Sequence, residues 1–214
     1  PGVHFAIDGL DWKNQAPKAE QPGCAEQKGY KFILCMIDRA TRKFYAKALK
    51  TRTAIETRDA VRKMLNEAQA TQTIKEMSMD SASEFLSAEM RTMLQGLGPR
   101  DQDGYETNQD GVVTHVKPPG RESRQDISDL DSKMGIFSRA LANIRRKQTP
   151  KTLAWYPYVK EALIFVNKKR IRHGRALGIA PDKAEESFET AKEGMAPTEK
   201  AVSAFLLQAR AAED

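Results

Sequence analysis

Cysteine, histidine and aromatic residues are all scarce in this chain: two Cys, three His and 7% Phe, Trp and Tyr among 214 residues. Cys24 and Cys35 make no zinc-type spacing with His4, His115 and His173, so a zinc module is excluded as the device that organises the fold. Both thiols are expected to be free, in a reducing compartment. Long hydrophobic runs are missing too. No stretch of about 18 apolar residues occurs, and no charged-then-apolar leader opens the sequence, so neither a membrane-spanning helix nor a secretory signal is legible. A soluble, intracellular protein with no membrane partner is the expectation. Internal repeats and low-complexity tracts are absent as well.

What is present is enough to fold. Hydrophobic residues make up 40% of the chain, sufficient for the core of one domain with helical material to spare. The formal net charge of +6 favours a polyanionic partner, although that excess is also common in proteins that never touch nucleic acid.

Periodicity gives a mixed α/β order. His4–Leu10 reads as a first strand, Trp12–Gln27 as a polar loop, Phe32–Ile37 as a buried strand and Lys43–Leu49 as a third, joined to the second by a turn at Arg39–Arg42. A helix is predicted over Thr53–Gln69, with Thr53 as N-cap and an apolar face of Ile55, Val61, Met64, Leu65 and Ala68. Ile74–Met79 reads as a strand and Ser83–Leu94 as a helix stopped at Gly96. A polar, Gly-punctuated stretch over Arg100–Gly111 precedes a last short strand, Val112–Val116. Lys117-Pro118-Pro119-Gly120-Arg121 must be a loop, since two prolines remove donors. Helices then follow from Ser123 to about Arg146, from Lys151 to Lys169 and from Thr198 to Ala211.

Three acidic positions stand out against this outline. Asp8 and Asp80 each end a short apolar run, His4-Phe5-Ala6-Ile7-Asp8 and Met77-Ser78-Met79-Asp80, and Asp131 sits beside the helical stripe Leu130, Met134, Phe137 and Leu141. Gathered carboxylates hold a hard divalent cation, because Mg²⁺ prefers a few carboxylates, water and substrate phosphate. On spacing alone the plainer reading, three surface acids among 29 acidic residues, stands beside this one. Glu84 and Asp11 flank the first two positions and read as solvated acids. Basic residues cluster after the third, among them Lys133, Arg139, Arg145, Arg146, Lys168 and Lys169.

Four segments in order carry a family resemblance. Lys28–Ala54, with Phe32-Ile33-Leu34-Cys35-Met36-Ile37-Asp38-Arg39 and Ala48-Leu49-Lys50-Thr51-Arg52-Thr53-Ala54, resembles the second and third strands of the retroviral and retrotransposon integrase catalytic core. Asp80-Ser81-Ala82-Ser83-Glu84-Phe85 is similar to that family's D-N-G-S/P-E-F, with Ser81 and Ala82 where Asn and Gly are usual. Trp155, Val159, Asn167, His173 and Pro181 resemble the pattern that follows the core. The resemblance runs from about Phe5 to about Pro181.

It implies an α/β, ribonuclease-H-like fold: a five-stranded mixed sheet flanked by helices, with additional C-terminal helices. The implied organisation is a catalytic core over residues 1–148 and a C-terminal helical extension over 149–214 that packs on it. The implied activity is that of a DDE/D-type integrase, a Mg²⁺- or Mn²⁺-dependent polynucleotidyl transferase and nuclease that processes DNA 3′ ends and joins them to target DNA. Two ions about 3.5–4 Å apart would activate the attacking oxygen and stabilise the leaving one.

In that reading Asp8 bridges the metals and Asp80 is the second ligand. The third is Asp131, where the family usually carries glutamate, and Glu122 remains the alternative, with Asp126 and Asp129 as outside candidates. Asn167 and His173 are assigned to architecture. Lys117, Arg121, Arg124 and Lys133 lie nearest the site and are the expected contacts to DNA phosphates. The implied partners are DNA and further copies of the chain, in the nucleus or an intracellular nucleoprotein particle. No zinc module of the family precedes Phe5, so a piece of a polyprotein, or a degenerate or domesticated copy, is expected. An inactive DNA-binding or scaffold descendant, and a nuclease that does not join, are the competing readings.

Overall fold

The computed structural model describes residues 4–71, 73–97, 111–116 and 128–168. Its elements in chain order are β1 (His4–Asp11), a short helix α1 (Cys24–Gln27), β2 (Phe32–Asp38), β3 (Phe44–Leu49), α2 (Ala54–Glu67), β4 (Glu76–Met79), α3 (Ala88–Gln95), β5 (Val113–Val116), α4 (Ser128–Arg146) and α5 (Val159–Lys168). The strands form one sheet in the order β3-β2-β1-β4-β5. β1, β2 and β3 pair antiparallel, while β4 and β5 run parallel to β1.

Side-chain alternation along these strands builds two cores. Phe5 and Ile7 of β1, Leu34 and Met36 of β2 and Met77 and Met79 of β4 face α2 and α3, where Val61, Met64, Leu65, Met90 and Leu94 meet them. The intervening residues Ala6, Ile33, Cys35 and Ile37 face the other way, onto Leu130, Phe137 and Leu141 of α4 and Val159, Ala162 and Val166 of α5. Trp155 is fully buried in this second core. Residues 154–168 therefore share one apolar core with α4 and the sheet.

The β2–β3 turn shows why its residues are as they are. Asp38 is buried, accepts the Ala40 N–H at 2.9 Å and the Thr41 hydroxyl at 3.0 Å, and Arg42 completes the reversal with a left-handed φ of 61°.

Three helices differ from the sequence reading. In α2, Thr53 is the N-cap as expected, but Ile55 is 56% exposed. The buried stride is Thr57, Ala60, Val61, Met64 and Leu65, and Ile55 precedes Thr57 by two residues, a step that turns it to the opposite face. The helix expected from Ser83 begins only at Ala88, capped by Ser87, whose side chain accepts the Met90 N–H. Residues 83–85 are a turn instead: the Phe85 and Leu86 N–H groups both donate to the Ala82 carbonyl.

The helix expected from Lys151 begins at Val159. The preceding segment is drawn to the short helix α1: buried Gln27 accepts the N–H groups of Trp155 at 2.9 Å and Tyr156 at 3.2 Å. Close by, Gly23 holds a left-handed φ of 92°, and a Cβ there would stand 2.8 Å from the Ala154 nitrogen, so glycine is required at this crossing. The helix read over Thr198–Ala211 lies outside the described residues, and among those described no helix is long and apolar enough to cross a membrane.

Candidate active site

Parallel pairing brings the first two aspartates together. Ile7 lies opposite Met79, the last pair of the ladder, and Asp8 and Asp80 are the next residue on each chain, which sets them at neighbouring positions. They also share a face. Ala6, two residues before Asp8, belongs to the core under α4, and Ser78, two before Asp80, bonds His4 on the same side at 3.0 Å.

Cys35 confirms the orientation from the neighbouring strand. It pairs with Asp8 across β1 and β2, and burial pushes its thiol well above the ordinary range, with the Asp8 carboxylate adding to the rise. A thiol so held is neutral and unreactive. Cys24 is half-buried, and both cysteines are free.

Each carboxylate is oriented by backbone. The Gly9 N–H donates to Asp8 Oδ1 at 2.6 Å, and the Ala82 N–H donates to Asp80 Oδ1 at 3.0 Å. The second bond explains how Ser81-Ala82 is accommodated where the resembling family prefers Asn-Gly. The turn needs a backbone N–H, which alanine supplies, and neither residue has a positive φ.

Asp131 lies exposed in the first turn of α4. Its neighbour Leu130 packs against the α4 face of the sheet, and Asp129 is ion-paired with Arg42 of the β2–β3 turn, which anchors the start of the helix. Among the described residues no three His, Cys, Asp or Glu side chains lie together so as to hold a metal ion. Asp8 and Asp80 are thus brought together, and Asp131 does not join them in a three-residue set. Glu122, Asp126, Lys117, Arg121, Arg124 and His173 lie outside the described residues.

Lys133, expected at a DNA surface, is only 7% exposed on the inner side of α4. A lysine so covered has little surface to offer a phosphate.

Two other acids are tied to bases. The Lys13 backbone N–H at 2.9 Å holds Asp11 below the usual carboxylate range, and the Lys13 ammonium lies 3.3 Å away. Glu84, read from sequence as solvated, is only 9% exposed, and it accepts the Arg52 Nε–H at 2.5 Å with Nη2 on the same oxygen. Arg52 was not singled out by the sequence reading. Its one signal is a cation in Lys50-Thr51-Arg52-Thr53, between a strand end and a helix cap.

The donor chemistry of Asp8 and Asp80 fits a hard cation: two oxygen-only ligands on one face, Asp8 within β1 and Asp80 just past the end of β4. No family profile matches the sequence, and no curated protein matches it. Solved structures do. The catalytic core domain of BIV integrase superposes with a TM-score of 0.58 at 13% identity, covering 90% of this chain and 99% of that one. A chain of the simian T-cell lymphotropic virus intasome, solved in complex with PP2A regulatory subunit B56 gamma, gives a TM-score of 0.63 at 11% identity, covering 86% of this chain and 54% of that one. The fold is therefore the ribonuclease-H-like fold of integrase catalytic cores, a five-stranded mixed sheet flanked by helices. At such identities the likeness is one of architecture.

Proposed function

We propose that this chain is the catalytic core of a retroelement-type integrase, a divalent-metal-dependent polynucleotidyl transferase acting on DNA ends. The observation that carries the reading is the placement of Asp8 and Asp80 side by side on one face of a ribonuclease-H-like sheet. Asp8 and Asp80 would hold Mg²⁺ or Mn²⁺, with a third carboxylate from Asp131 or Glu122. When bound, two such ions would lower the pKa of an attacking hydroxyl and stabilise the leaving oxygen. The chain's own part is to fix those ligands: backbone N–H groups of Gly9 and Ala82 orient the two carboxylates before substrate arrives.

The same site would serve two steps that differ only in nucleophile, water for end processing and a DNA 3′-hydroxyl for joining. Lys117, Arg121 and Arg124 precede α4 in sequence and are proposed to meet DNA phosphates. Lys133 is left out of that set because it is buried. Further copies of the chain, in an intracellular nucleoprotein particle, complete the proposal.

The competing reading is a DNA-binding descendant without activity, raised by an aspartate, Asp131, where the resembling family usually carries glutamate.

Incubation with a labelled DNA end and Mn²⁺ separates the readings. Products longer than the input support joining, shortened products alone support a nuclease, and no reaction supports the inactive descendant. Asp8→Asn and Asp80→Asn are each expected to abolish all products while the variants keep wild-type circular dichroism. Full activity in either would end the metal-ligand assignment.

A further inference from the structure

We infer that His4 is a positioning residue for the Asp8–Asp80 site, tying the strand that leads to Asp80 onto the strand that carries Asp8. The inference rests on the proposed function and adds to it a group that acts through the two carboxylates. The sheet is held unequally on its two faces. On the side of α2 and α3, β4 is anchored in the core by Met77 and Met79. On the α4 side the core has no member from β4 or β5, where Glu76, Ser78, Val113 and His115 share that face. Apolar burial therefore holds β4 from one side.

Polar bonds hold it from the other. His4 opens β1 on the same face as Ala6 and Asp8, and its Nε2 lies 3.0 Å from Ser78 Oγ and 3.3 Å from Arg39 Nη1. A guanidinium can only donate, so Nε2 is the acceptor and the proton sits on Nδ1, 3.4 Å from Glu76 Oε2. The same Glu76 oxygen meets His115 Nε2 at 3.2 Å. One neutral imidazole thus links the β2–β3 turn, β1 and β4, and through Glu76 it reaches β5.

Ser78 is 2% exposed and lies two residues before Asp80. The bond it makes to His4 acts on a ladder of only four residue pairs, and a slip of one residue there would turn Asp80 away from the face of Asp8. The plainer alternative is a solvated cluster at the rim of the sheet, since the side chains of Glu76 and His115 are 43% and 47% exposed.

The charged groups around His4 define what its protonation would do. Glu76 from β4 favours the imidazolium, Arg39 from the turn opposes it, and His115 from β5 shares Glu76. On α4, which packs on β1, Asp129 is taken by Arg42 and Lys133 lies on the inner side, while Asp8 stands four residues along on the face of His4. A proton on Nε2 removes the lone pair that Arg39 requires, so the link is made by the neutral ring and lost as pH falls.

Mn²⁺ binding, read from the electron paramagnetic resonance of the free ion without DNA, decides between the two. His4→Ala is expected to weaken binding about tenfold near neutral pH, the lower end of the effect of removing a group that supports a metal ligand. His4→Gln, whose amide oxygen can still accept from Ser78 and Arg39, should recover most of it. Wild-type affinity should fall between about pH 7.5 and 5.5, the range in which an imidazole gains its proton, and that of His4→Gln should stay level. If His4→Ala, folded by circular dichroism, binds Mn²⁺ as wild type does, or if His4→Gln follows the wild-type pH dependence, the cluster is a solvated one and the inference is overturned. Should His4→Ala fail to fold, the pH comparison with His4→Gln decides alone. Wild-type protein that binds no Mn²⁺ overturns the inference and the proposed function together. Mn²⁺ binding that depends on His4, in a protein that neither cleaves nor joins DNA, defeats the proposed activity and leaves the role of His4 standing.

Discussion

Asn167 completes the sheet edge with a side chain. Its Oδ1 accepts the Phe44 N–H at 2.9 Å and its Nδ2 donates to the Phe44 carbonyl at 2.8 Å, so one amide on α5 imitates a neighbouring strand at the outer edge of β3. All four groups are buried, and truncation would leave two backbone groups without partners and without water. Asn167→Ala is therefore expected to cost about 2–3 kcal/mol, read as a lowered urea midpoint with an unchanged slope. Asn167→Asp should be no milder, because it turns an acceptor toward the Phe44 carbonyl. The sequence reading placed Asn167 in the architecture without seeing its partner, since nothing in the chain's text pairs position 167 with position 44. Gln27 is the same case in reverse: an unremarked polar residue in a loop that proves to be buried and holds Trp155.

At the scale of elements, the start of α2 shows local chemistry that the sequence does reveal. The Thr53 hydroxyl accepts the Glu56 N–H, and the Glu56 carboxylate reaches back to the Lys50 and Thr51 N–H groups and the Thr51 hydroxyl. Partial burial raises the pKa of Glu56, but these hydrogen bonds outweigh it and hold the group below its ordinary value of 4.5. A carboxylate depressed by folding adds stability that is present above its unfolded pKa and lost as pH falls through its folded one. Glu56→Gln should therefore narrow its stability gap from wild type as pH is lowered below about 4.5, measured by thermal melts across pH 3–6.

The starts of α3 and α5 were misplaced in the sequence reading, and the reasons are tertiary. Phe85 is drawn into the core and Glu84 onto Arg52, so the chain turns there and a new cap at Ser87 begins the helix. Gln27 holds Trp155 and Tyr156 in place of helical partners, and α5 waits until Val159.

At the scale of the whole molecule, the proposed metal site takes its third carboxylate from Asp131 or Glu122. Asp131 is fixed on α4, whose first turn is held by Leu130 in the core and by the Arg42–Asp129 pair. If it is the third ligand, Asp131→Asn should lose metal-dependent activity as fully as Asp8→Asn, and Mn²⁺ should raise the melting temperature of wild type but of neither variant. Glu122→Gln should then retain most activity and the Mn²⁺ shift. The opposite pattern would assign the ligand to Glu122.

Alternation and apolar runs in the sequence were sufficient for β1 to β4 and the α/β class, because a strand buried on one or both faces must write its burial into its residues, whereas β5 is exposed along its length and was legible only from its valines. Asp8 and Asp80 drew notice beside such runs, but their candidate role came from the family resemblance and not from the pattern. The cap at Thr53 and the Asp38 turn followed from local hydrogen bonding. What needed the tertiary structure was everything set by distant approach: the parallel register that stands Asp8 beside Asp80, the burial of Lys133 and the joining of Arg52 to Glu84. A sequence specifies which side chains seek water and which avoid it, but two residues 32 positions apart meet only because a sheet and two helices carry them to one place.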